Sequence, residues 1–475
     1  MKSIKKNIIY NLVYQVLAII LPFITAPYLS RVIGASGVGV YSFSHSMALY
    51  FTYFTLLGLT NYGNRAIAAV QDNYEERSKL FCEIYVMQVI CFTVSIIVYV
   101  VYIICFSTDQ AAASIMLLTV VSAVFDINWF FFGMEKFKLT VIRNTIIKIA
   151  TVVCIFLFVN NRSDIYIYVT IMSIGFLACQ LCLWPFMRKM VKLQIPKWSA
   201  VKKHFRPNLV LFVPVIAISI YKIMDKVFLG YMSTMEQVGY YENAERIITI
   251  AVTMITAVGT VMLPRMSSLI ADNKMDESKQ YIDKTMLIVL AYTNAVLFGI
   301  VAVAKDFSVV YYGEDFIATG VIMCYLAVTV IFLGCGSVIR TQYLIPNKED
   351  SIYLISAIIG AVINVIINTL LIPKYAAVGA AIGTICAEVT VCIFQMFSVR
   401  KELNLGKYLK WEIMFAIIGS IMFLVIKLVP VPSSPILALC VHILSGTVVY
   451  VMLAGLYFMK GEKIAIFQKR KNKRI

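Results

Sequence analysis

Charge is scarce in this chain. Asp, Glu, Lys and Arg make up 14% of its 475 residues, where soluble domains carry about a quarter. Histidine is rarer still, with only His45, His204 and His442, and so scattered a set does not build a metal site. A disulfide framework is missing as well. The eleven cysteines lie within or beside apolar runs, and the lone C-x-x-C, Cys179 with Cys182, has no partner pair. They read as small helix-packing residues.

What the chain has in excess is apolar surface. It is 61% hydrophobic with mean hydropathy +0.85, more than a globular core can hide. These residues must face lipid. At roughly 20 apolar residues per crossing, the runs predict an all-α polytopic membrane protein of about fourteen helices, near 8–29, 38–60, 80–106, 111–133, 141–160, 165–187, 208–232, 238–262, 284–304, 316–338, 351–372, 376–398, 411–430 and 435–459. The first run is too long for a signal-peptide core and reads as a retained helix.

The net charge of +17 does not point to nucleic acid, because the Lys and Arg residues sit in short loops. Fourteen spans place both termini on one side. That side carries 34 Lys and Arg residues, against five on the other (Arg31, Arg162, Lys305, Lys374 and Lys427). The bias predicts cytoplasmic termini. The longest connector, 188–207, and the tail 460–475 each hold seven basic residues. Both read as interfacial segments lying on anionic lipid.

The chain also repeats itself. At an offset of 200, residues 38–79 align without gaps on 238–279, with nine identities that include Val38/Val238, Gly39/Gly239, Tyr41/Tyr241 and Arg65/Arg265. Each copy enters a span at V-G-x-Y and leaves into a loop with Arg near its start. Six spans separate them, so the copies run the same way, a parallel repeat about an axis along the membrane normal. The expected organisation is a first lobe over 1–187, the linker 188–207, a second lobe over 208–398, two appended helices in 399–459 and the tail 460–475. Two lobes facing each other would leave a cavity for alternating access.

An ionisable side chain at mid-bilayer costs roughly 2.5–3.5 kcal/mol and is functional by default. Lys222, Asp225 and Lys226 share one face of the seventh span, and Glu242, Glu245 and Arg246 one face of the eighth. His45 is the repeat counterpart of Glu245, and Asp126 and Glu388 lie in the fourth and twelfth spans. Two readings stay open for these groups. They line a cavity, or they form pairs, Asp225 with Lys222 and Glu242 with Arg246, that only hold helices together. Lys226 and Glu242 fall near the outward ends of their spans, where long side chains snorkel cheaply. Asn364 and Asn368 suit an interhelical hydrogen bond. Pro22, Pro27 and Pro214 permit bends.

The stretches LSRVIGASGVGVYSFS (29–44), GLTNYGNRAIA (58–68), DINWFFFGMEKF (126–137) and YKIMDKVFLGYMSTMEQVGYYENAERI (221–247) resemble the polysaccharide-repeat flippases of the multidrug/oligosaccharidyl-lipid/polysaccharide exporter superfamily, which handle O-antigen, capsule and exopolysaccharide units. The resemblance implies two six-helix lobes with two extra helices in a bacterial cytoplasmic membrane. It implies a transporter, not an enzyme, that moves undecaprenyl-pyrophosphate-linked oligosaccharides from the inner to the outer leaflet. Pyrophosphate and anionic sugars would meet Lys222, Lys226, Arg246 and Arg31. Asp225, Glu242, Glu245, His45, Asp126 and Glu388 would temper that charge or carry a coupling H+ or Na+, and no organic cofactor is expected. Partners would be the glycan-lipid, anionic lipids and other polysaccharide-assembly membrane proteins.

Two relatives within the superfamily compete. A cation-coupled multidrug exporter usually has twelve spans and often an acid in its first span, where this chain has Asn11 and Gln15. A lipid II flippase shares the span count and basic cavity but fits the DINWFF and VGYY stretches less well. A membrane glycan polymerase or ligase would need a long outer loop, and the longest here, about 305–316, is short.

Overall fold

The computed structural model describes the backbone of residues 2–430 and 432–471, and side chains over 20–220, 223–430 and 432–459. Among the described residues every regular element is helical. Eleven stretches are long and apolar enough to cross a membrane. Continuous apolar runs favour this outcome, since in lipid each backbone N–H and C=O must be satisfied within its own segment.

Packing divides the chain into two compact units, Met1–Glu242 and Asn243–Ile475. In the first, the helix Lys2–Leu56 breaks at Gly34 (φ 69°, ψ 179°). That conformation is open only to glycine at low cost. The break separates α1 (2–33) from α2 (35–56). Pro22 and Pro27, the expected bend points, lie inside continuous helix, so the discontinuity is set by backbone freedom at Gly34 rather than by a lost hydrogen bond.

After α3 (Leu59–Ala68), α4 (Tyr74–Cys105) starts at Asn73, whose side chain accepts from the amides of Glu75 and Glu76. Such a cap contributes about 1 kcal/mol, and the two acids suit the positive end of the helix dipole. The fourth apolar run does not form one helix. α5 (Gln110–Ser122) gives way to a 3-10 turn at Ala123–Phe125, Asp126 is extended, and α6 (Asn128–Gly133) restarts the spiral. Next come α7 (Phe137–Phe158) and α8 (Ile165–Leu181). The span expected at 141–160 thus begins earlier, directly after the left-handed turn at Glu135 (φ 55°).

The 188–207 linker is fastened to α4. Arg77 donates to the Met190 carbonyl at 3.2 and 2.9 Å, and the Lys192 amide donates to Ser78. His204, 2% exposed, bonds Glu83 Oε2 through Nε2 at 3.0 Å and Tyr62 through Nδ1. Lys203 joins the same carboxylate at 2.9 Å. A buried acid needs such partners to stay in place.

α9 (Phe205–Met232) follows, and α10 (Met235–Ala271) carries the chain from the first unit into the second. The second unit continues with α11 (Met275–Tyr312), α12 (Ile317–Ala327) and α13 (Thr329–Ile339), the last ending in a π turn at Arg340–Leu344. The stretch Asp350–Ser398 breaks at Ala376 (φ 47°, ψ −127°) into α14 (350–375) and α15 (377–398). α16 (Leu405–Leu428) and α17 (Pro435–Lys471) close the chain.

Candidate functional site

The repeat seen in the sequence has a direct structural counterpart. A Cβ on Gly39 would overlap the carbonyl of Met235, and a Cβ on Gly239 would overlap the carbonyl of Ala35. Residues 35 and 235, like 39 and 239, are 200 apart. The start of α2 and the start of α10 therefore cross on each other with equivalent residues in mutual contact, as at a local two-fold axis. Only residues without a side chain let two helix backbones come so close.

One turn further on, the next equivalent pair also meets. Ser42 Oγ donates to Glu242 Oε2 at 2.8 Å. Lys226 Nζ, from α9, reaches the same oxygen at 2.8 Å, with the two side chains 16% and 18% exposed. Beside it, Tyr241 donates its hydroxyl to Asp225 Oδ2 at 2.7 Å, and Asp225 is 2% exposed. The tight crossing thus places an ammonium, two carboxylates and two hydroxyls together in apolar surroundings, where charge-assisted bonds are strong.

His45 lies three residues beyond Ser42 on the same face of α2. Its ring is stacked between Tyr41 (centroids 5.4 Å, planes 8° apart) and Phe176 (5.3 Å, 13°). Lys226 and Glu242 are its charged neighbours. Its buried Nε2 has no hydrogen-bond partner among the described residues.

Of the residues singled out from sequence, the structure gathers His45, Asp225, Lys226 and Glu242. Glu242 takes Lys226 and Ser42 as partners, and Asp225 takes Tyr241, contacts that sequence reasoning missed. Ser42 had a signal, since it is the repeat counterpart of Glu242, but a Ser–Glu mismatch scores nothing as identity. Glu245 and Arg246 continue α10 into the second unit, half-buried and engaged with neighbours. The side chain of Lys222 lies outside the described residues. Arg31 is exposed near the end of α1, close in sequence to Gly34, beside which the Arg162 guanidinium packs. Glu388 is buried at mid-length in α15, 6% exposed.

Asp126 belongs to a separate polar network that builds the break between α5 and α6. Its Oδ1 accepts from the Asn128 amide (2.9 Å) and side chain (2.8 Å). Gln88 Nε2 takes the freed carbonyls of Ala123 (2.7 Å) and Asp126 (2.9 Å), while its Oε1 accepts from Trp129 Nε1 (3.1 Å). Arg143 donates to Asn128 Oδ1 at 3.1 Å. Every group freed by a broken helix in lipid needs such a partner. The DINW stretch, with Gln88 opposite it, supplies them.

The second unit also holds an apolar cavity of about 430 Å³, lined by residues of α10, α11, α16 and α17 that include Tyr292, Phe307, Met422 and Tyr450. A volume of this order suits an apolar ligand or part of a chain.

Fold and site together define a polytopic helical membrane protein with charge held among its apolar helices. The fold is shared with solved membrane proteins. The solved lipid II flippase MurJ in its inward closed conformation superposes with TM-score 0.76 at 17% identity, covering 95% of this chain and 99% of that one. An inward-facing multidrug resistance MATE family transporter gives 0.58 at 13% identity, over 81% and 98%. By sequence, residues 4–270, more than half of the chain, match the family described as Polysaccharide biosynthesis protein. The chain belongs to that family. Two relatives carry the name "Putative O-antigen transporter". The one from Escherichia coli (strain K12) is 23% identical over 84% of this chain and 97% of its own. The one from Shigella dysenteriae is 22% identical over 83% and 100%.

Proposed function

We propose that this member of a glycan-lipid flippase class translocates undecaprenyl-pyrophosphate-linked oligosaccharide units from the inner to the outer leaflet by alternating access. The observation that carries the reading is the Lys226–Glu242–Ser42 centre at the Gly39/Gly239 crossing. A pyrophosphate entering hydrocarbon must exchange its hydration for ammonium or guanidinium donors. Lys226 is such a donor, and it is held by a carboxylate that competes with the phosphate. Glu242 thereby sets a ceiling on how tightly the headgroup binds, and a transporter has to release what it binds. Lys222, Arg246 and Arg31 are the further cations proposed to meet the anionic headgroup. The apolar cavity of the second unit suits the prenyl chain.

Deletion of the gene, with no substitute transporter, is expected to leave glycan-loaded carrier lipid on the cytoplasmic leaflet and to remove the surface glycan. Normal surface glycan in that strain would refute the proposal. A second reading, transport of lipid II, is supported by the 0.76 likeness to a lipid II flippase. Supplying each glycan-lipid to the purified protein separates the two.

A further inference from the structure

Among the described residues, one turn of the second unit is wound more loosely than an α-helix. α13 ends in the π turn Arg340–Leu344, where the Ile345 amide donates to the Arg340 carbonyl, five residues back, at 3.0 Å. An α-helix pairs each amide with the carbonyl four back, so this turn holds one residue more than an α-turn would. Extra residues of this kind are rare inside helices and need a cause.

At the centre of the turn is Gln342, which is 0% exposed. Neither its amide nitrogen nor its amide oxygen has a hydrogen-bond partner among the described residues. Ile339 and Leu344 beside it are fully buried as well. The polar groups around it are engaged. Thr341 donates to the Ser337 carbonyl at 2.7 Å, the Arg340 guanidinium lies 5.2 Å over the Tyr353 ring, and the Tyr343 carbonyl accepts from the Asn347 side chain at 2.8 Å. Other buried amides of the same unit, Gln395 and Asn294, each keep at least one bond. Gln342 carries two donors and an acceptor oxygen and uses none of them. Burying an amide in this way is costly, and an apolar side chain of the same size would avoid the cost.

The turn also bears on α10. A Cβ on Gly259 would come within 3.0 Å of the Thr341 hydroxyl, and α10 is the helix whose first turns carry Glu242.

We propose that the Arg340–Leu344 turn is a two-state switch of the second unit. In the state seen here it is wide, and Gln342 is parked among apolar side chains. In the other state it closes to an α-turn. The Ile345 amide then exchanges the Arg340 carbonyl for that of Thr341, and the extra residue passes into the loop before α14. The helix end rotates by about 100°, the step of one residue. Gln342 is carried to surroundings that use its amide, and Thr341 shifts against Gly259 of α10. Packed helices move between discrete arrangements of this kind. That the switch serves glycan-lipid movement rests on the flippase reading.

The test uses the full-length protein in detergent and in proteoliposomes. In the wild type, amide hydrogen exchange should be faster over 340–345 than over 329–339 of the same helix. Gln342→Met keeps the length of the side chain and removes the stranded amide. It should raise the melting temperature by about 2 °C or more and slow exchange over 340–345. It should also leave the second state about tenfold less populated, with glycan-lipid flipping slowed to a similar extent. Gln342→Leu should act in the same direction. Equal exchange across 329–345 in the wild type overturns the switch and leaves the flippase reading intact. So does melting at or below the wild-type temperature in both variants, or flipping at the wild-type rate by a variant that melts higher. If the wild type moves no glycan-lipid while exchange and melting follow the expected pattern, the flippase reading falls and the switch stands.

Discussion

The helices α2 and α10 begin with the same pattern and end up doing different chemistry. Both enter through V-G-x-Y, and Gly39 and Gly239 let their backbones cross at equivalent points. Beyond the crossing the copies diverge. Position 42 is a serine where 242 is a glutamate, and position 45 is a histidine where 245 is a glutamate. The duplicated residues set geometry and the diverged ones supply charge. Duplication alone would have placed like residues against each other at the axis, glutamate against glutamate or serine against serine. The difference makes one carboxylate available there, with a hydroxyl from its counterpart and an ammonium from α9 as partners.

Breaking the ion pair should have the largest effect. Replacing Lys226 with Met removes the ammonium from the Glu242 carboxylate, 18% exposed, and is expected to cost about 3 kcal/mol of stability, read as a drop in melting temperature in detergent. Adding Glu242→Gln should recover most of that loss. If the double variant is no more stable than Lys226→Met alone, the pair is not the interaction described here.

Next in size is the crossing itself. Gly239→Ala forces the two helices apart and should destabilise by about 1–3 kcal/mol. Gly39→Ala should act through the same contact, so the two changes together should cost less than their sum. Strict additivity would mean that the two glycines are not in one contact. The smallest effect belongs to the diverged hydroxyl. Ser42→Ala removes one bond to a shared carboxylate oxygen, worth about 1 kcal/mol, and leaves Lys226 in place. A loss as large as that of Lys226→Met would give the serine a role this geometry does not.

Much of this was legible in the sequence. Apolar runs announced the helices, and the offset of 200 marked α2 and α10 as copies, without saying that they pack on each other. The identities at 39 and 239 marked where they meet, although identity alone could not say that the two glycines touch. Partnerships were harder to read. The bond from Ser42 to Glu242 joins residues 200 apart, and helical spacing speaks only of neighbours three or four apart. The break at Asp126 was invisible because hydropathy averages over it. Its carbonyls are satisfied by Gln88, which no local pattern connects to them. Glu83 and His204 drew no attention because a buried Glu–His pair has no motif.

The central claim is that Lys226, tempered by Glu242, handles the anionic headgroup. The most direct measurement compares the wild-type protein with the Lys226→Met/Glu242→Gln double variant in proteoliposomes. Both receive a fluorescent polyprenyl-pyrophosphate oligosaccharide in one leaflet, and its appearance in the other is followed by chemical quenching. The double variant should fold and melt close to the wild type, because neither charge is left stranded, yet fail to move the lipid. Movement at the wild-type rate by that folded variant would contradict the claim.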